Sequence, residues 1–102
     1  MRKETKVLKE LLKAKFPNAQ FHIRYKETTN YIDTSDKIVI TCDNSVSIDD
    51  VVCYLKENTS KMAVYKNNEY ASIGGDYESK IKSVTGEWID ADMVEFIQVK
   101  EQ

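Results

Sequence analysis

The chain is poor in the residues that punctuate or staple small proteins. Its 102 residues include one proline, three glycines, one histidine, one tryptophan and two cysteines. Two cysteines, Cys42 and Cys53, are too few for a disulfide scaffold of this size. One histidine and two scattered cysteines do not supply the ligand set of a zinc site, so no metal is expected, and no other cofactor. No apolar run approaches roughly 18 residues, so no membrane-spanning helix is predicted. The opening MRKETKVLKELLKAK is charged throughout and has no apolar h-region, unlike a secretory signal. A cytoplasmic location is the expectation.

What is present suits one small folded unit. Apolar residues make up 41% of the chain, close to the globular average and too many for wholesale disorder. The length argues for a single domain over residues 1–102. The net charge of −2 hides an asymmetry. Residues 1–26 carry eight Lys/Arg against two Glu, a net of +6, and residues 27–102 carry seven Lys against fifteen Asp/Glu, a net of −8. Two surfaces of opposite sign follow, and each fits a different partner.

Hydrophobic spacing sets the expected elements. Val7, Leu8, Leu11 and Leu12 recur at helical spacing and predict a helix over 4–16, with Lys6, Lys9 and Lys13 on the opposite side. Pro17 ends it, because the residue before proline is pushed out of the α region. Residues 20–27 then alternate, with Phe21, Ile23 and Tyr25 one way and His22, Arg24 and Lys26 the other. A second strand is predicted over 37–42, with Ile38, Ile40 and Cys42 inward, making an antiparallel hairpin with the first across a long loop. Ser47 and Asp50 read as a weak capping box opening a helix whose apolar face is Ile48, Val51, Val52 and Leu55. Cys53 falls off that face and should be exposed. Residues 61–65 and 69–73 form a possible hairpin about Asn67 and Asn68. Gly74 and Gly75 break the chain, 77–84 is strand or short helix, Thr85 and Gly86 turn, and 93–99 is a final strand. The predicted architecture is α+β: two layers, a small mostly antiparallel sheet and two helices on one of its faces.

Candidate chemistry is sparse. A Cys–His pair would need Cys42 or Cys53 beside His22, and the strand phases put Cys42 and His22 on opposite sides of the sheet. Asp49 with Asp50 and Asp90 with Asp92 are paired carboxylates, but their positions suit a helix first turn and a strand start better than acid–base work. Gly74-Gly75 lacks the lysine and spacing of a phosphate loop. A non-enzymatic module is expected. The leading expectation is a protein-binding surface, and the alternative is a nucleic-acid-binding one. An acidic, tyrosine-bearing surface of Asp49, Asp50, Tyr54, Tyr65, Tyr70, Asp76 and Tyr77 suits a protein partner with a basic groove. A basic surface of Lys6, Lys9, Lys13, His22, Arg24 and Lys26 suits a phosphate backbone.

The segment LLKAKFPNAQFHIRY, followed by DKIVITCDNSVSIDDVVCYLKE, resembles the large polyvalent protein-associated domain family, the twenty-ninth of that series. The likeness lies in Leu12-Lys13, Phe16-Pro17, Phe21, the strand from Ile38 to Thr41 and the helix start from Asp49 to Val52. It covers about half the chain, roughly residues 8–58. Where members carry a Trp-x-Asp-Gly-like step, this chain has Thr41-Cys42-Asp43-Asn44. The resemblance implies a phage or conjugative-element protein that travels with DNA into a bacterial cytoplasm. It carries over no catalytic residue. By analogy it extends to an inhibitor of a host defence nuclease.

Overall fold

The computed structural model describes residues 2–27, 36–67, 78–91 and 93–102. Helix α1 spans Lys3–Lys15 and buries Thr5, Val7, Leu8, Leu11 and Leu12. Phe16 closes it in a non-helical conformation, its N–H donating to the Leu12 carbonyl at 2.8 Å, just ahead of Pro17. Strand β1, Phe21–Lys26, alternates half-buried and exposed along its whole length, as the sequence pattern requires. It pairs antiparallel with β2, Asp36–Cys42, in the register Phe21–Cys42, Ile23–Ile40 and Tyr25–Ile38.

Helix α2, Ile48–Glu57, buries the four apolar residues its spacing singles out. The capping box is not formed: Ser47 is the N-cap but makes no side-chain capping bond, and the Val51 N–H reaches only the Ser47 carbonyl. The preceding turn is ordered instead by Asp43, which accepts from the Ser45 N–H at 3.0 Å and from the Ser45 hydroxyl at 2.5 Å. An aspartate organising its own turn two residues on is the Asx pattern.

After α2 come β3 (Thr59–Ser60), β4 (Ala63–Lys66), β5 (Lys80–Lys82), β6 (Trp88–Asp90) and β7 (Val94–Glu101). They divide into two sheets where one was expected. The larger has the order β1-β2-β7-β4 and the smaller β3-β5-β6. Among the described residues three of the five pairings are antiparallel, but β2 and β4 both run parallel to β7. Strand β4, the first half of the expected hairpin, forms as expected up to Asn67, on one side of a parallel partner that the sequence did not suggest. It pairs with β7, Val64 opposite Ile97. The 69–73 half of that expectation, with Gly74 and Gly75, lies outside the described residues.

The parallel arrangement has a simple cause. Strands β2 and β4 are joined through α2, and a crossover of that length returns the chain in the same direction. The C-terminal strand then fills the slot between them, a split β-α-β unit. A strand flanked on both sides is buried, and β7 is buried or half-buried from Val94 to Val99, polar Glu95 and Gln98 included. Within the smaller sheet, β5 confirms a strand inside 77–84, and Gly86 turns β5 into β6 at φ +91°, a conformation that favours glycine.

Both helices lie on one face of the larger sheet. Leu8, Leu11 and Leu12 of α1 and Val51 and Leu55 of α2 share one core with Ile38, Ile40, Cys42, Ile97 and Val99. Ile81 and Ala91 extend that core under the smaller sheet. Tyr25 caps its edge. Its hydroxyl donates to Asp36 at 2.5 Å, and the Arg2 guanidinium sits 4.0 Å above its ring. Burial first, and then the neighbouring Asp36, push the Tyr25 hydroxyl well above the usual tyrosine range. Replacing Tyr25 by Phe removes a donor from buried Asp36 and should cost about 1–3 kcal/mol in chemical denaturation. Because the folded-state pKa is raised, the stability that Tyr25 contributes is complete below its ordinary value of 10.0 and declines as pH rises past it. In Tyr25→Phe that share of the alkaline loss should be missing.

Candidate nucleic-acid interface

Outside an irregularity at buried Glu95, which the register skips, the pairing of the larger sheet assigns its strand residues to two faces. Away from the helices, three rows cross the strands. His22, Thr41 and Lys100 form the first. Arg24, Val39, Gln98 and Tyr65 form the second, and Lys26, Lys37, Phe96 and Ala63 the third. His22, Arg24, Lys26 and Lys100 are exposed, and Lys37 is half-buried. None of the eleven residues in these rows is acidic. Alternation in a single strand showed only His22, Arg24 and Lys26. Lys37 and Lys100 join them because β2 and β7 lie beside β1 in the right phase, which no local pattern encodes.

The middle of the face is more closed than its β1 side. Val39 is 3% exposed and Gln98 8%. Gln98 accepts from the Lys37 ammonium at 3.2 Å and donates to the Asn67 carbonyl. Tyr65 and Phe96 are half-buried and sit diagonally on adjacent strands, within reach of one another for side chains of that size. The sequence shows no paired aromatics because the two rings come from segments thirty residues apart. Burial raises the Tyr65 hydroxyl above its ordinary pKa.

At the Cys42 end of β2 a carboxylate borders this face. Asp43 lies just beyond β2 and, with Gln20, Phe21, His22, Thr41 and Gln102, lines a polar cleft of about 230 Å³. The Ser45 hydroxyl, and then the N–H groups of Gln20 and Ser45, hold its carboxyl below the usual aspartate range. His22 therefore lies in a cleft beside a carboxylate committed to ordering a turn.

The structure separates the two halves of the predicted basic surface. Lys6, Lys9 and Lys13 are exposed on the outer side of α1, and α1 packs on the core face of the sheet. His22, Arg24 and Lys26 point from the opposite face. The two stripes are adjacent in sequence but face away from one another, because the helix needs the apolar side of β1 beneath it.

The acidic, tyrosine-bearing set is dispersed as well. Asp49 and Asp50 are exposed in the first turn of α2, and Asp49 pairs with Lys66 at 2.9 Å. Tyr54 is on the helix layer, edge-on to Phe16 with ring centroids 5.9 Å apart, whereas Tyr65 is on the far side of the sheet. Tyr70, Asp76 and Tyr77 lie outside the described residues, as does Asp92. Asp90, at the end of β6, pairs with Lys80 at 2.9 Å, and that partner lowers its carboxyl pKa.

Nucleophilic chemistry finds no constellation among the described residues. Cys42 is buried on the core face and His22 points from the other, as strand phase predicted. No group of three or more His, Cys, Asp or Glu residues could hold a metal among the described residues. Cys53 is exposed, as predicted, in a shallow groove of about 350 Å³ with Lys15, Phe16, Asp50, Tyr54 and Glu57. Burial, then Asp43 and Glu101, push the Cys42 thiol up to about 11. At pH 8 a thiol reagent should modify one cysteine per native chain, Cys53, and a second only after unfolding. Two fast-reacting thiols by mass spectrometry would contradict the packing of β2. The raised Cys42 pKa also stabilises the fold fully below 9.0, an increment that is lost as pH climbs towards 11.

Among the described residues no helix is long and apolar enough to cross a membrane. No family model, no curated protein and no solved structure matches this chain. The resemblance drawn from Leu12-Lys13, Phe16-Pro17 and the strand and helix that follow therefore rests on those residues alone.

Proposed function

We propose that the chain is a non-enzymatic binding module that contacts the phosphate backbone of nucleic acid through the outer face of its larger sheet. One observation carries this reading. The register lines up Arg24, Lys26, Lys37 and Lys100, with His22 at the end, on a face whose rows contain no carboxylate. A local field of that sign attracts a polyanion whatever the net charge of the whole chain. The surface differs from the one the sequence suggests: Lys6, Lys9 and Lys13 drop out, and Lys37 and Lys100 take their place. In the setting that the family resemblance implies, a protein transferred with DNA, such a face has an evident use. The test is a salt titration of binding to labelled oligonucleotides. Three to four neutralised phosphates give a slope of log affinity on log salt of about −2 to −3. No detectable binding at low salt overturns the reading.

A second reading keeps the protein partner, with inhibition of a host defence nuclease as its sharpest form. It is favoured by the groove beside Phe16 and Tyr54, where Asp50 and Glu57 border two aromatic rings. A partner with a basic rim would fit it. Under this reading Asp50→Asn with Glu57→Gln weakens a defined complex, and an unchanged dissociation constant removes the groove from consideration.

A further inference from the structure

We infer that the outer sheet face takes single-stranded nucleic acid, with phosphates along β1 and β2 and bases on Phe96 and Tyr65. This inference rests on the proposed phosphate contact and adds the strandedness of the ligand. Its first support is steric. Four strands about 4.8 Å apart make a face about 14 Å across. A duplex major groove is about 12 Å wide and admits one helix or a two-stranded ribbon, not the flat of a four-stranded sheet. A duplex could therefore touch this face only through its backbone, whereas a single strand can lie down on it with its bases turned inward.

The second support is where the charges and rings fall. Lys37 is the direct cross-strand neighbour of Phe96, and Lys26 is the next residue out along that row. Arg24 occupies the same outer position in the row that ends in Tyr65. These two of the three rows thus run from a cation at the β1 edge to an aromatic on the β7–β4 side. A single strand presents charge and π-face in the same order, phosphate on one side and base on the other. Phe96 and Tyr65 are each half-buried and not enclosed. Stacking on such rings tolerates any base, so the face selects strandedness and not sequence.

The experiment compares a single-stranded oligonucleotide with its own duplex at one low salt concentration, using the full chain and fluorescence anisotropy. The expected result is a single strand at least about tenfold tighter than the duplex. Tyr65→Ala on edge strand β4 should weaken single-strand binding roughly 5- to 100-fold and leave duplex binding unchanged. Because Phe96 is on a central strand, Phe96→Leu is the second variant: it keeps apolar volume and removes the π-face. Circular dichroism confirms that both variants are folded. Equal affinity for both forms, or indifference of single-strand binding to both ring variants, overturns the inference while leaving the phosphate contact standing. Absence of binding to either form overturns both together.

Discussion

Replacing Ile97 by alanine should remove about 2–5 kcal/mol of folding stability, the largest loss expected from a single side chain here. Ile97 is 0% exposed, on β7, with Ile38 opposite on one flank and Val64 on the other. It also belongs to the core that both helices share. Truncation removes three carbons and leaves a cavity that strands held on both sides cannot close, so the transfer and cavity costs add. A domain of this size has about 5–15 kcal/mol in total, so a large fraction is at stake. Urea unfolding followed by circular dichroism is the suitable measurement. Trp88, the only tryptophan, is 47% exposed and reports the β5–β6 hairpin more than the core. The comparison is Lys100→Ala three residues on, an exposed position expected within about 0.5 kcal/mol of wild type. A loss below about 1 kcal/mol at Ile97 would mean that β7 does not lie between β2 and β4.

Reversing Arg24 and Lys26 together to glutamate should weaken oligonucleotide binding roughly 100-fold at low salt. Two exposed cations become two anions, a change of four charges facing the phosphates. Each close pair in water is worth about 1 kcal/mol before screening, and screening takes back part of the sum. The salt slope should flatten by about 1.4, since each lost phosphate contact on a single strand removes about 0.7. Stability should barely move, because both side chains are exposed. The matching reversal of Lys9 and Lys13 separates the two basic stripes. Those lysines point away from the sheet's outer face, so their reversal should change affinity by less than about threefold through the long-range field alone. If Lys9 and Lys13 matter as much as Arg24 and Lys26, the binding surface wraps around the domain and the sheet face is not the site.

These two experiments probe different kinds of knowledge. Helix α1, strand β1, the inward side of β2 and the buried face of α2 could all be read locally. Each follows from a period of 3.6 or 2 in the apolar residues, and from Pro17 forcing a stop. The exposure of Cys53 and the burial of Cys42 came from the same phases. The misread features share another origin. The Ser47–Asp50 signal was local, but Ser47 caps with its backbone alone, and the side chain that orders the preceding turn is Asp43. That β4 pairs with β7 could not be read from Asn67 and Asn68, because a turn signal says nothing about a strand thirty residues away.

For the candidate site the division is sharper. Alternation in FHIRYK by itself determined that His22, Arg24 and Lys26 share one side and that Phe21, Ile23 and Tyr25 share the other. Only the tertiary structure decided what lies beside them. It put Lys37 and Lys100 on the same face, brought Phe96 next to Tyr65, and turned the lysines of α1 away. The physical reason is that side-chain phase within a strand is a property of its own backbone, whereas lateral strand order is set by which segments bury the most apolar surface together. Strand β7 takes the central slot because it has apolar residues to bury against both neighbours, and with that choice the surface on the other side of the sheet is assembled.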